Sequence, residues 1–351
     1  MRIASITSVV LLSLAVCAPS ASAQGLSFSL FERYLESFRV EAGIPGMSAA
    51  IVQDNTVVWK AGFGRQDVEG IIPATADTPY QVGPLSQALG ATLLLRKCMD
   101  QDTAEATDPV TRWVPTYGET STTLGQLLSH TAPVGGFHYA PDRFASLTDV
   151  VEECGDRKYG DLLASEIFEL AGMVDSVPGE ALAVPSPADV ATFGEARLSR
   201  YAAILRRAAL PYRVISGRAQ RNADYRAHQL DMSSGIVTTV SDLARFDIAL
   251  DSEGLLSEAA RIQAWSPAYW GTLPLPTGLG WFLQGYNGQP IVWQFGLVDG
   301  AYSSLIIKVP NRHLTFILLA NSDGLSAPYG LEAGDVTSSL FARLFLRSFV
   351  P

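Results

Sequence analysis

Apolar residues recur at helical spacing over residues 26–42, with Leu30, Tyr34, Leu35 and Phe38 on one side, which predicts an amphipathic helix near the start of the chain. The period then changes. Residues 49–53 and 56–62 are β-strand-like runs around Asp54-Asn55, the signature of a hairpin. The end of the chain returns to strand pattern over residues 279–286, 290–294, 302–309 and 314–320, with turns at Asn287-Gly288 and Pro310-Asn311 and a helix over about 332–348. Runs linked so tightly imply an antiparallel meander. Residues 85–270 are mainly helical in pattern, broken by loops rich in Pro and Gly. The expected fold class is α/β: an antiparallel sheet flanked by helices, built from residues 24–83 and 271–351, clasping an inserted mainly helical domain over 84–270. The cleft of such a unit lies where the two parts meet.

The first 23 residues alter the expected location. Met1-Arg2, an apolar stretch over 3–16 and the small residues Ala21-Ser22-Ala23 have the form of a secretory signal peptide cleaved after Ala23. A lipoprotein reading centred on Cys17 is weaker, because Val16 stands where a small residue is wanted. No other run reaches the roughly 18–20 apolar residues that span a bilayer. The mature chain is therefore expected outside the cytoplasm, periplasmic or extracellular, without a transmembrane segment.

Charge excludes some partners. The chain carries −10, and loss of Arg2 takes it to −11, which argues against nucleic acid or an anionic membrane. One stretch departs from this: residues 197–226 hold eight arginines opposed only by Asp224. It reads either as a solvated helix and loop face or as a rim that attracts anionic ligands. The four histidines, His130, His138, His228 and His313, are scattered without carboxylates or cysteines at ligand spacing, so no metal and no cofactor is expected. Nothing in the chain fixes an oligomeric state.

The candidate chemistry lies in three segments. Pro84-Leu85-Ser86-Gln87 opens a helical pattern; Tyr139-Ala140-Pro141 follows the helix of Thr123 to Leu128 and the His130-Thr131 pair; Gln294-Phe295-Gly296 sits in a late strand. In order and spacing these segments, with residues 172–176, 234–246, 278–282 and 300–304, resemble the serine β-lactamase, penicillin-binding protein and esterase superfamily, in particular its class C-like branch. The resemblance covers nearly the whole mature chain. It implies that Ser-x-x-Lys, Tyr-x-Asn and His-x-Gly or Lys-Thr-Gly stand at these three places in active relatives, with the tyrosine sharing in proton transfer and the asparagine and strand residue holding substrate.

Here the motifs are degenerate. Pro84 stands for the serine, Gln87 for the lysine, Pro141 for the asparagine and Gln294 for the strand residue, while Tyr139 and Gly296 are retained. A serine needs a neighbouring base to become nucleophilic. Pro84 has no hydroxyl, and Gln87 is not basic. The reading is an exported pseudoenzyme that binds a small molecule or peptide in the cleft. The alternative is an active esterase, peptidase or β-lactamase-type hydrolase whose nucleophile has moved. Ser86 and Tyr139 are the candidates for that, although two helical residues turn a side chain by about 200°; a serine at Ser86 is otherwise expected to bond to backbone. His130 is expected to be structural. The resemblance also places the helices ending near Cys98 and Cys154 side by side, so these two cysteines form a disulfide or remain buried thiols.

Overall fold

Asp54 and Asn55 take φ of 49° and 58°, the left-handed pair that a two-residue hairpin turn requires. They join Gly46–Gln53 (β1) to Thr56–Asp67 (β2). The computed structural model describes residues 21–133 and 136–351; the leader expected over residues 1–23 lies, except for its last three residues, outside them. Ile72–Pro73 (β3) follows β2, and the late strands are Phe282–Tyr286 (β4), Gln289–Val298 (β5), Tyr302–Val309 (β6) and Leu314–Ala320 (β7). All pair antiparallel in one sheet, in the order β4-β5-β6-β7-β1-β2-β3. Both ends of the chain thus meet at the β7–β1 pair, with Met47 opposite Ala320.

The alternation of side chains divides the core between two faces. Ala49, Ile51, Leu305, Ile307, Phe316 and Leu318 pack with Phe31 and Leu35 of helix α1 (Ala21–Glu41) and Phe341 and Phe345 of the last helix. Ala50, Val52, Ile306, Ile317 and Leu319 face the larger core of the helical region, which includes α2 (Ser86–Leu94), α3 (Leu147–Gly155) and α4 (Val240–Asp251). Every residue of β6 is buried, as a strand covered on both faces must be. The result is an α/β fold of sheet and flanking helices.

Three local expectations are corrected. The buried side of α1 carries Phe31 and Leu35, whereas Leu30 and Tyr34 are about half exposed, because Phe28, Phe31, Leu35 and Phe38 form the stripe that meets the sheet. The last helix, α5, spans only Leu340–Phe349: Gly334 at φ 87° and the Ser339 cap confine residues 331–338 to short 3-10 turns. Within the arginine-rich stretch, Tyr212–Ile215 pairs with Arg218–Arg221 as a hairpin, turned by Ser216 and Gly217 with φ of 51° and 72°. A helix-dominated pattern hides such a hairpin because it is only four residues a side.

Candidate functional site

Tyr80–Gln81 pairs with Val237–Thr238 and delivers the chain to Gly83, whose φ is +56° and whose N–H donates to Gln81 Oε1 at 2.5 Å. Pro84 is the middle residue of the 3-10 turn Gly83–Leu85 that feeds α2. β5 presses against this turn. Ser304 Oγ donates to the Val82 carbonyl at 2.7 Å, and a Cβ on Gly296 would run into that same carbonyl oxygen and into Ser304 Oγ. Gly296 is therefore required by the close approach of strand to turn, whatever chemistry the site performs.

The polar centre behind Pro84 is neutral. Gln87, fully buried, accepts from His130 Nε2 at 3.0 Å and from Gln294 Nε2 at 3.4 Å through one oxygen, Oε1. Gln294 Nε2 also donates to the Gly280 carbonyl at 3.0 Å. The His130 tautomer follows from its partners: Nδ1 accepts the Ala140 N–H at 3.2 Å, so the proton sits on Nε2, facing Gln87. Burial pushes this imidazole down to about 3, so it stays uncharged. His130 also binds the His138 N–H through its carbonyl, at 2.8 Å, and thereby braces the loop that carries Tyr139.

Tyr139 lies in that loop with its ring against His130, Phe282 and Phe295, at centroid distances of 4.7, 5.7 and 5.4 Å. Its Oη is buried without a hydrogen-bond partner among the described residues, and burial pushes the phenol further up, out of the range of a proton acceptor at neutral pH. Gln87 Nε2 likewise has no hydrogen-bond partner among the described residues, and the Gln87 side chain opposes the shift of Tyr139 only in part. Pro141 begins the short helix Pro141–Ala145. Ser86 is fully buried, and its Oγ has no partner among the described residues, so the backbone hydrogen bond expected for it is not formed. It does not line the cleft. Cys98 and Cys154 are bonded to each other beyond the end of α2, with 6.0 Å between their Cα atoms.

The cleft in front of Pro84 holds about 690 Å³. Pro84, Tyr139 and Pro141 meet Phe295, Leu297 and Val298 of β5 there, so all three motif segments converge. Of the eight arginines in the rich stretch only Arg213 and Arg226 line it, joined by Asn222, Tyr225 and His228 and opposed by Asp224, Asp299 and Glu332. The rim is mixed in charge. Asn222 is 5% exposed, its Nδ2 donating to the Gly300 carbonyl at 2.9 Å. Tyr225 donates to Glu180 at 2.5 Å, and burial pushes that carboxyl up. Tertiary folding alone brings these residues to the motifs; the density of arginine was the one visible signal. Among the described residues no group of three or more His, Cys, Asp or Glu is arranged to hold a metal, and no helix is long and apolar enough to cross a membrane.

Proline at position 84 lacks a nucleophilic oxygen and also a backbone N–H that could polarise a carbonyl. Gln87, with its oxygen occupied by two donors, offers no base. What persists is a shaped cleft with a packed floor and a polar rim.

Comparison with known proteins places this geometry. The family model described as Beta-lactamase matches residues 31–336. Two penicillin-binding proteins of Bacillus subtilis (strain 168) are each 24% identical, over 168 and 313 residues, which is 40% and 76% of this chain. The chain covers 42% and 66% of their lengths. Among solved structures, the octameric penicillin-binding protein homologue from Pyrococcus abyssi superposes with a TM-score of 0.69 at 18% identity, covering 91% of this chain and 77% of its own. The D-amino acid amidase from Ochrobactrum anthropi SV3, complexed with L-phenylalanine amide, also gives 0.69, at 17% identity and 91% and 98% coverage. Identities this low establish a shared fold.

Proposed function

Because the chain belongs to the β-lactamase family and yet carries Pro84 and Gln87 where the family motif has its serine and lysine, we propose that it is an exported pseudoenzyme that binds a small molecule or peptide in the cleft. The observation that carries this reading is Gln87: its Oε1 is held by the donors of His130 and Gln294, so the position of the motif lysine is occupied by a neutral acceptor. A binding role needs only the cleft and its rim, and both are formed. Export rests on the leader pattern of residues 1–23, and the two-part organisation, 24–83 with 271–351 against 84–270, supplies the walls of the cleft.

The ligand class follows from the rim. Arg213 and Arg226 can hold a carboxylate, while Asp224, Asp299 and Glu332 can hold an amine, so amino-acid derivatives and short peptides fit better than an apolar ester. The amidase complexed with phenylalanine amide makes that amide, in both hands, a natural first probe.

The test pairs reaction with binding. The protein is exposed to a fluorophosphonate and to a penicillin, and its intact mass is measured; a panel of peptides and amino-acid amides is titrated by calorimetry. No adduct together with saturable binding is the expected result, and Pro84→Ser alone should not change it, since a serine without its activating lysine recovers little. An adduct on wild-type protein that Ser86→Ala abolishes without unfolding would mean that the nucleophile has moved, and the pseudoenzyme reading would be lost.

A further inference from the structure

Arg218–Arg221, the second strand of the arginine-rich hairpin, runs into Asn222, and the fold uses almost all of that residue's hydrogen-bonding capacity. Its N–H donates to the Pro211 carbonyl at 2.9 Å, and its own carbonyl accepts the Tyr225 N–H at 3.3 Å. Nδ2 donates to the Gly300 carbonyl at 2.9 Å. That bond fixes which way the side-chain amide faces, because the reversed amide would set two acceptors, Oδ1 and the Gly300 oxygen, against each other. The group left over is Oδ1, buried and without a hydrogen-bond partner among the described residues, on a residue that lines the cleft. A buried acceptor left open is destabilising, so this place calls for a donor.

The neighbouring side chain narrows what that donor is. Gly300, at φ 62°, lies in the turn from β5 to β6, and Arg213 covers its α-carbon: a Cβ there would stand 2.8 Å from Arg213 Cγ and 3.0 Å from Nε. Asn222 and Arg213 thus meet on one glycine, the first at its carbonyl and the second at its α-carbon. The Arg213–Asp224 ion pair, at 3.6 Å, joins side chains 49% and 81% exposed, and such surface pairs hold weakly, so the guanidinium is free to turn to a ligand. An ammonium would offer donors to Oδ1 but would face the Arg213 charge. A carboxylate would suit Arg213 but would set an oxygen against Oδ1. An amide is uncharged and carries an N–H for the one and a carbonyl oxygen for the other.

We infer that Asn222 makes the cleft selective for amides: Oδ1 accepts the N–H of a ligand carboxamide or peptide bond, and Arg213 donates to the carbonyl oxygen of the same group. This rests on the binding role proposed above and narrows its ligand class to amino-acid derivatives that carry an amide. Arg226, on the same rim, is left for a terminal carboxylate. An ester of the same shape keeps the carbonyl but has no N–H, and its alkoxy oxygen meets Oδ1 as one acceptor meets another. Selection of this kind needs no nucleophile, so it is open to a cleft that carries Pro84.

The test is calorimetric titration of the protein with two matched pairs of equal charge: phenylalanine amide against phenylalanine methyl ester, and phenylalanyl-alanine against phenylalanyl-lactate. Phenylalaninol serves as a hydroxyl control. The amide of each pair is expected to bind at least about tenfold tighter than the ester. Asn222→Leu should bring that ratio to within about twofold, whereas Arg213→Met should weaken both members of a pair. A purely structural loss in Asn222→Leu would weaken amide and ester equally and leave the ratio, so the ratio separates the two roles. If that variant does not fold, a nuclear Overhauser contact between the bound ligand N–H and the Asn222 side chain of the wild type takes its place, and its absence counts against the inference. Equal affinity for amide and ester, a ratio that survives Asn222→Leu, or phenylalaninol bound as tightly as the amide would overturn the inference while the binding role stood. If neither pair binds, the inference falls, and the wider peptide panel decides the binding role separately.

Discussion

Two buried polar centres lie in the helical-side core, and they treat the ammonium group in opposite ways. Lys308 of β6 is 1% exposed and lies between Asp247, itself 1% exposed, and Asp251, with Thr315 completing the set and the Trp265 ring centroid 5.6 Å away. Gln87 of α2 is equally buried but is surrounded by neutral groups: His130, Gln294 and the Tyr139 loop. The fold therefore has no objection to a buried lysine. A buried ammonium needs carboxylates within reach, and α4 supplies two of them to Lys308. Among the described residues no carboxylate bonds to Gln87, and the groups that do reach it, His130 Nε2 and Gln294 Nε2, are donors that suit an amide oxygen and not an ammonium.

The contrast can be broken hardest at the charged centre. Asp247→Ala leaves Lys308 facing one partly exposed carboxylate and should cost about 3–5 kcal/mol, read by urea unfolding. Replacing both fully buried partners by apolar residues, Lys308→Met with Asp247→Leu, should cost less than the single change, because the one charge left without its partner, Asp251, reaches solvent. If the double variant is the worse of the two, the charge pair stabilises beyond its own desolvation. Burial pushes the Asp247 carboxyl up against the pull of Lys308, so the folded chain takes this proton at a higher pH than the unfolded chain does, and through this group alone stability rises as the medium becomes acidic and falls as pH climbs through the raised value.

Next in size is the steric frame that the degenerate site has kept. Gly296→Ala sets a methyl against the Val82 carbonyl, a backbone atom that cannot swing away, and should destabilise by about 3 kcal/mol, the upper part of the overpacking range. A neutral result in thermal unfolding would show that the strand-to-turn contact gives way easily, and Gly296 would then have to be explained by ligand access.

Gln87→Lys tests the comparison directly. The His130 tautomer and the Gln294 amide both aim donors at position 87, so a lysine there meets N–H groups where it needs acceptors. A downward shift of about two units in its pKa corresponds to a cost of about 2–3 kcal/mol at neutral pH. The deficit should shrink as pH rises towards about 10.4, where the unfolded lysine also loses its proton. A variant as stable as wild type at pH 7 would contradict the view that the centre is built for a neutral residue.

The smallest effect at neutral pH is expected for His130→Gln, about 1 kcal/mol from lost hydrogen bonding. Its signature appears in acid. The folded protein refuses a proton at His130 down to about pH 3, whereas the unfolded chain takes one near 6.5. Wild-type stability from this group is complete above 6.5 and falls by about 1.4 kcal/mol per pH unit below it. Unfolding curves of the variant should lack that component. Identical pH profiles would mean that His130 titrates normally and is not sealed by its loop.

Much of the architecture was already written in local pattern. The two-residue turns at Asp54-Asn55 and Asn287-Gly288 and the alternation along 302–309 and 314–320 specify hairpins, because turn conformation and side-chain period are properties of adjacent residues. The motif spacing likewise gave the positions of Pro84, Gln87, Tyr139, Pro141, Gln294 and Gly296, together with the loss of hydroxyl and base, since residue chemistry does not depend on folding. Other features are pairings between residues far apart in the chain, and no local period encodes them. The stripe of α1 is turned to Phe31 and Leu35 by the sheet it meets. His130 takes its tautomer from the Ala140 N–H, and Gly296 is held to glycine by the Val82 carbonyl more than two hundred residues earlier. Lys308 finds its carboxylates only because α4 brings Asp247 and Asp251 to it, and the cleft gathers Asn222, Tyr225 and Glu332 from segments that share no motif. Burial and partner distance are set by how elements pack, and packing is decided by the whole chain at once.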